Sequence, residues 1–252
     1  MRVTFLGTGT SVGVPRIACH CAVCRSADPR NQRLRCSILM AEGDTRALVD
    51  TTPDLRTQVL RFGVKRIDAV LFTHAHADHL HGLDDVRCFC LDRDAPLPCY
   101  ADRNTLARIR HVFDYAFDSE YPSTVPQLTL HPIQGPFPVG GLCVEPVPVY
   151  HGKLPILGFR VGGFAYVTDC SRIPPPSLER LRGLDTLVLN ALRPRPHPTH
   201  FSVAQAVDVV QEVRPRRALF THIAHDLEHQ ATNARLPPHV QLAFDGLVLE
   251  VG

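Results

Sequence analysis

Residues 69–79 read Ala-Val-Leu-Phe-Thr-His-Ala-His-Ala-Asp-His, an apolar strand running straight into three histidines and a carboxylate. No other stretch limits the fold so tightly. A strand end delivers side chains to one rim of a sheet, so a sheet must lie beneath this rim. The spacing predicts that His74 and His76 point the same way by period two. The chain then turns at Ala77-Asp78, and His79 comes to face the same cavity. Imidazole and carboxylate together suit Zn2+, Mn2+ or Fe2+ rather than Ca2+ or Mg2+. Ligands this closely spaced are compatible with two adjacent metal sites. The bland alternative, a solvated His-rich loop, leaves the apolar strand unexplained.

Further ligand types recur at other strand ends: Tyr150-His151, Thr168-Asp169 and Thr221-His222. Asp50 closes a fourth apolar run, Ala47-Leu48-Val49. The 252 residues hold 14 His and 9 Cys, so metal-ligand side chains are plentiful. With 44% hydrophobic and 21% charged residues, the composition excludes disorder, collagen and a coiled coil. A formal net charge of +2 gives no reason to invoke a nucleic acid polymer or an anionic membrane. The apolar run after Arg2 is too short for a signal-peptide core, and no run approaches the ~20 apolar residues of a membrane helix. The expectation is a cytoplasmic protein with reduced thiols, folded as one domain over 1–252.

Strands are predicted at Val3–Leu6, Ser37–Ala41, Arg46–Val49, Ala69–Thr73, Pro98–Ala101 and Leu128–His131. Later ones are predicted at Leu142–Val149, Gly158–Val161, Phe164–Thr168, Thr186–Leu189, Ala218–Thr221 and Val240–Leu249. Helical spacing predicts helices over Pro53–Phe62, Asn104–His111, Ser177–Arg182 and Ser202–Val213, the last with Ser202 as N-cap. Such a mixture predicts an α/β protein with helices covering the sheets.

A second cluster reads Cys19-His20-Cys21-Ala22-Val23-Cys24. Three thiols in CxCxxC spacing can wrap one tetrahedral ion, which needs a fourth ligand. His20 is local but strained between its neighbours. His225 is the better candidate, because a turn after His222 would aim it away from the first cluster. An iron–sulfur reading would need a fourth thiol, for which Cys88-Phe89-Cys90 is a source. Otherwise Cys36, Cys88, Cys90, Cys99, Cys143 and Cys170 read as small apolar core residues.

The HxHxDH string with the later His, Asp and His resembles the metallo-β-lactamase fold superfamily of hydrolases. That resemblance implies an αββα four-layer sandwich with a dinuclear site at the edge of two facing sheets. His74, His76 and His151 would hold one metal; Asp78, His79 and His222 the second; Asp169 would bridge. Asp50 would stand behind them and orient the ligands. Gly7-Thr8-Gly9-Thr10-Ser11-Val12-Gly13-Val14-Pro15 followed by CxCxxC resembles the branch containing the cyclic phosphodiesterase of the carbon–phosphorus lyase pathway. Its members carry a structural zinc, here implied on Cys19, Cys21, Cys24 and His225.

The expected activity is hydrolysis of a small phosphodiester, of the 2′,3′-cyclic nucleotide or ribosyl 1,2-cyclic phosphate type. A hydroxide bridging two divalent metals, manganese, zinc or iron, would be the nucleophile. His200, in Pro-Thr-His-Phe-Ser, resembles the family's non-ligand catalytic histidine and is the candidate acid; His197 ranks below it. Lys153, two residues after His151, is a candidate for substrate phosphate. Arg30, Arg33 and Arg35 are weaker ones. The aromatic run from Phe113 to Tyr121 fits core packing or a homodimer interface better than base stacking. Competing readings are a tRNA 3′-processing-like nuclease, a thioesterase or lactonase on the same fold, and a non-catalytic metal sensor.

Overall fold

The computed structural model describes every residue except Asp92, Ser119 and Pro122. Ser119, within the predicted aromatic run, therefore lies outside the described residues. Among those described, the first strands are β1 (Arg2–Gly7), β2 (Ser37–Glu42), β3 (Thr45–Val49), β4 (Ala69–Leu71), β5 (Leu97–Ala101) and β6 (Leu128–Pro132). Then come β7 (Phe137–Val139), β8 (Leu142–His151), β9 (Leu154–Val161), β10 (Phe164–Val167), β11 (Thr186–Asn190), β12 (Arg217–Thr221), β13 (Val240–Leu242) and β14 (Val248–Glu250). Helices are α1 (Leu55–Arg61), α2 (Ala77–Leu80), α3 (Arg103–Val112), α4 (Pro175–Arg180), α5 (Val203–Val213) and α6 (His229–Asn233).

The strands form two seven-stranded sheets, ordered β14-β1-β2-β3-β4-β5-β6 and β13-β12-β11-β10-β9-β8-β7. In the first, β1 to β3 are antiparallel and β3 to β6 parallel. The second repeats the plan, with β7 to β10 antiparallel and β10 to β13 parallel. Parallel neighbours need crossover connections, and α1 to α6 occupy those crossovers. The carboxyl ends of the parallel strands share one edge in each sheet, the edge where α/β proteins bind ligands.

Three apolar cores account for four layers. Phe5, Met40 and Leu71 of the first sheet meet Phe159, Phe164 and Tyr166 of the second. Leu48, Val70 and Phe72 pack outward against Leu55, Leu106 and Ile109 around α1 and α3. Leu187, Leu189 and Phe220 pack outward against Ala206, Val210 and Val213 of α5. A strand covered on both faces reads as a continuous apolar run, and all five residues of β11 are buried. The result is the αββα sandwich that the resemblance implies.

α5 starts as predicted, with Ser202 and Gln205 forming a reciprocal capping box, and stops at Arg214 with φ 55°. Three expectations need correction. The apolar run Val240–Leu249 is not one strand: it splits into β13 and β14, which sit in different sheets. Ala69–Thr73 ends early, at Leu71, so His74 and His76 project from the loop beyond β4 rather than from strand alternation. β9 begins at Leu154, four residues before the predicted start. β7, α2 and α6 span only three to five residues, too short for a periodic signal.

Candidate metal centres

The rims of the two sheets face one another, and each supplies part of one cluster. His74, His76, Asp78 and His79 come from the loop after β4 and from α2. His151 ends β8, Asp169 follows β10, His222 follows β12, and His200 precedes α5. Their donor atoms form three groups, each within 4.8 Å: His74, His76 and His151; Asp78, His79, Asp169 and His222; His151, Asp169 and His200. Asp169 and His151 each belong to two of these groups.

Four of the rings are held through one nitrogen. Thr73 Oγ1 lies 3.0 Å from His74 Nδ1, and Asp50 Oδ2 lies 2.7 Å from His79 Nδ1. His151 Nδ1 donates to the Thr199 carbonyl at 2.8 Å, and His222 Nε2 lies 3.3 Å from Thr10 Oγ1. The opposite nitrogens then face inward. His74 Nε2, His79 Nε2, His222 Nδ1 and His200 Nδ1 are buried without a hydrogen-bond partner among the described residues. His79 Nε2 is 3.2 Å from Asp78 and 3.3 Å from Asp169, and His222 Nδ1 is 3.0 Å from Asp169, yet no hydrogen bond forms. Buried polar atoms normally find partners. Orphaned imidazole nitrogens beside carboxylate oxygens are a donor set that fits divalent transition metals.

Electrostatics agree. Burial opposes charge on His222, but Asp169 raises it to about 10. Burial likewise opposes charge on His79, while Asp169, Asp78 and Asp50 raise it well above the usual range. The carboxylates thus favour positive charge at both rings, the same field that would attract a cation. Asp50 is fully buried and accepts from Thr73 N and Thr73 Oγ1, both at 2.8 Å, as well as facing His79. Asp50, Asp169 and His222 all have left-handed backbones, at φ 63°, 58° and 55°.

The second cluster also assembles. Cys19, Cys21, Cys24 and His225 bring their donors within 4.8 Å, with His225 Nδ1 3.5 Å from Cys19 Sγ and 3.3 Å from Cys21 Sγ. Cys24 Sγ accepts the Arg16 amide and Cys21 Sγ the Cys24 amide, both at 3.4 Å. His20 is exposed and outside the group, whereas His225 lies within it. The fourth donor is an imidazole, and no fourth thiol joins the group among the described residues. Cys36, Cys90, Cys99 and Cys170 are buried as expected, but Cys88 and Cys143 are exposed and are not core residues.

Other candidates fall out differently. Lys153 is exposed at the β8–β9 turn. Arg30 pairs with Asp28 and Arg35 with Asp54, while Arg33 is only 2% exposed and bound to Thr8 and Ala243. None of the three is free to read phosphate. Phe113 is buried, Tyr115 donates to Asp84 at 2.6 Å, and Arg110 lies over Phe117, whereas Tyr121 at the end of the run is exposed. Two residues not singled out from the sequence also sit at the rim: Thr73 donates to Asp50 and lies beside His74, and Asn190 bonds the Cys170 backbone. A threonine precedes His74, Asp169 and His222 alike, a pattern that could have flagged Thr73.

Residues 45–223 match the family model described as the Beta-lactamase superfamily domain. The chain belongs to that superfamily. It is similar to a diphosphatase of the PhnP family: 45% identity, TM-score 0.94, covering 100% of this chain and 98% of that one. A Porphyromonas gingivalis octanoyltransferase is 42% identical over 253 residues, 98% of this chain but 51% of the relative. The chain thus spans about half the length of that relative. Zn2+-bound PqqB from Methylobacterium extorquens shares the fold, with TM-score 0.80 at 23% identity over 100% of both chains.

Proposed function

We propose that this chain hydrolyses a phosphoryl bond in a small molecule at a pair of divalent ions, manganese or zinc. Small cyclic phosphodiesters and diphosphate linkages are the substrate classes. The reading rests on the orphaned His74, His79 and His222 nitrogens, in a chain 45% identical to a diphosphatase over its length. His74, His76 and His151 would hold one ion and Asp78, His79 and His222 the other, with Asp169 between them. Cys19, Cys21, Cys24 and His225 would hold a structural zinc.

Bound there, the ions would supply Lewis-acid polarisation and acidify water. The protein's part is orientation. Asp50 fixes the tautomer and tilt of His79. His200 stacks on His222 with centroids 4.7 Å apart and is our candidate proton donor to the leaving oxygen. Burial, then His222, pushes His200 down to about 3, so its ring is neutral at rest. A phosphoryl anion alongside would raise it, and Lys153 at the rim would meet the same anion.

One observation favours a second reading, acyl thioester or lactone hydrolysis: the likeness to half of an octanoyltransferase. The test is metal analysis with a screen of 2′,3′-cyclic nucleotides, linear diesters, nucleoside diphosphates, octanoyl thioesters and lactones. Turnover of a phosphoryl substrate that is lost with His200→Ala, most for poor leaving groups, is expected. Metal-loaded protein that cleaves only thioesters or lactones would overturn the proposal.

A further inference from the structure

Asn190 ends β11 and is fully buried. β11 pairs in parallel with β10, so Asn190 lies beside the turn that carries Asp169. Its carboxamide meets both backbone groups of Cys170. Oδ1 accepts the Cys170 N–H at 2.6 Å, and Nδ2 donates to the Cys170 carbonyl at 3.0 Å. Cys170 follows Asp169, whose left-handed backbone persists only if its surroundings hold it. The same Cys170 carbonyl accepts the amide of Phe201 at 2.9 Å, and Phe201 follows His200. The Cys170 carbonyl therefore joins the turn bearing Asp169 to the segment bearing His200, and the Asn190 side chain holds that carbonyl in place. The two functional groups stand 4.0 Å apart, Asp169 Oδ2 to His200 Nδ1.

The first sheet holds its own left-handed aspartate differently. Asp50 spends its carboxylate on Thr73 and His79. Asp169 accepts from Thr168 Oγ1 at Oδ1, which also faces His79 and His222, and its Oδ2 faces His200, so the whole carboxylate looks into the cluster. A carboxylate kept available for cations cannot also anchor its backbone, so the anchor has to come from another residue.

We propose that Asn190 is a positioning residue that sets Asp169 and His200 in one frame. The proposal rests on the reading above only in placing both residues at the reacting cavity. Asn190→Leu removes both hydrogen bonds at similar volume. Asn190→Asp keeps the acceptor for the Cys170 amide and loses the donor. In Asn190→Leu, kcat is expected to fall at least about 10-fold with little change in KM, and chelator competition to show metal affinity about 10–100-fold weaker. Asn190→Asp should fall between this variant and the parent. Leu106→Ala, in the core behind α3, serves as the control: it lowers Tm while kcat and metal affinity hold. Two Asn190 variants that behave like this control would overturn the proposal. If Asn190→Leu does not fold, Asn190→Asp decides alone. If the parent turns over no phosphoryl substrate, the functional reading fails while metal affinity still tests Asn190.

Discussion

The two clusters use similar residue types but are built in opposite ways. The His/Asp cluster sits where strands of both sheets end, and most of its rings are pinned by a second hydrogen bond before any ion is considered. The Cys/His cluster draws three ligands from one irregular segment, residues 19–24, and its fourth from beyond β12. The first is preorganised by the fold; the second would itself join the 19–24 segment to the body. Loss of a ligand should therefore cost activity in the first and stability in the second.

The largest expected effect tests the preorganised side. His76 is exposed, and among the described residues no hydrogen bond pins its ring. Replacing it with alanine should leave Tm nearly unchanged. Turnover of bis(p-nitrophenyl) phosphate should drop by more than the ~10–100-fold typical of groups that only support ligands. Unchanged turnover would sink the two-metal reading. Asp50→Asn comes next. An amide offers one acceptor oxygen where Asp50 serves three donors, so His79 loses its lock. Metal affinity should weaken about 10–100-fold, measured by chelator competition, and a variant that binds as the parent does would remove Asp50 from the account.

On the other side, Cys21→Ser should lower metal content by one ion and leave much of the activity at low temperature. A loss of about 3 kcal/mol would lower Tm by about 6–12 °C in a chain of this size. Full metal content in this variant would remove the structural site. Loss of activity with no change in Tm would invert the comparison.

Legibility in the sequence follows the same division. Ligands at strand ends announce themselves, because an apolar run must stop where His or Asp begins. The set His74, His76, Asp78, His79, His151, Asp169 and His222 is readable from the sequence, and the fold brings it together. A turn argument favours His225 over His20, and that partner also assembles. Legibility fails where one residue acts on another's backbone. Asn190 lies 20 residues from Cys170 and carries no motif, and only the parallel pairing of β10 and β11 brings them together. It fails again at Val240–Leu249, since hydropathy does not reveal a chain leaving one sheet for the other.

The smallest effect concerns the anchor beneath the 19–24 segment. Val14 and Arg33 exchange backbone hydrogen bonds at 2.9 and 2.7 Å, which fixes the start of that segment. Asp245 accepts from Thr8 Oγ1 and from the Leu34 amide, both at 2.7 Å, and Thr8 also accepts from Arg33 at 2.8 Å. Burial raises the Asp245 carboxyl to about 6, against the pull of those donors and of Arg33. Its ordinary value is 3.8, so the folded protein holds this proton more tightly than the unfolded chain. The resulting stability is fully present below pH 3.8 and is lost as pH rises through about 6. A rise from 3.8 to about 6 is worth at most about 3 kcal/mol. Urea unfolding of the parent and Asp245→Asn, both metal-loaded, should show the parent's advantage shrinking between about pH 4.5 and 7. An advantage that instead grows over this range would mean that the carboxylate is charged and paired with Arg33 in the folded protein. The anchor would then be an ion pair rather than a shared proton.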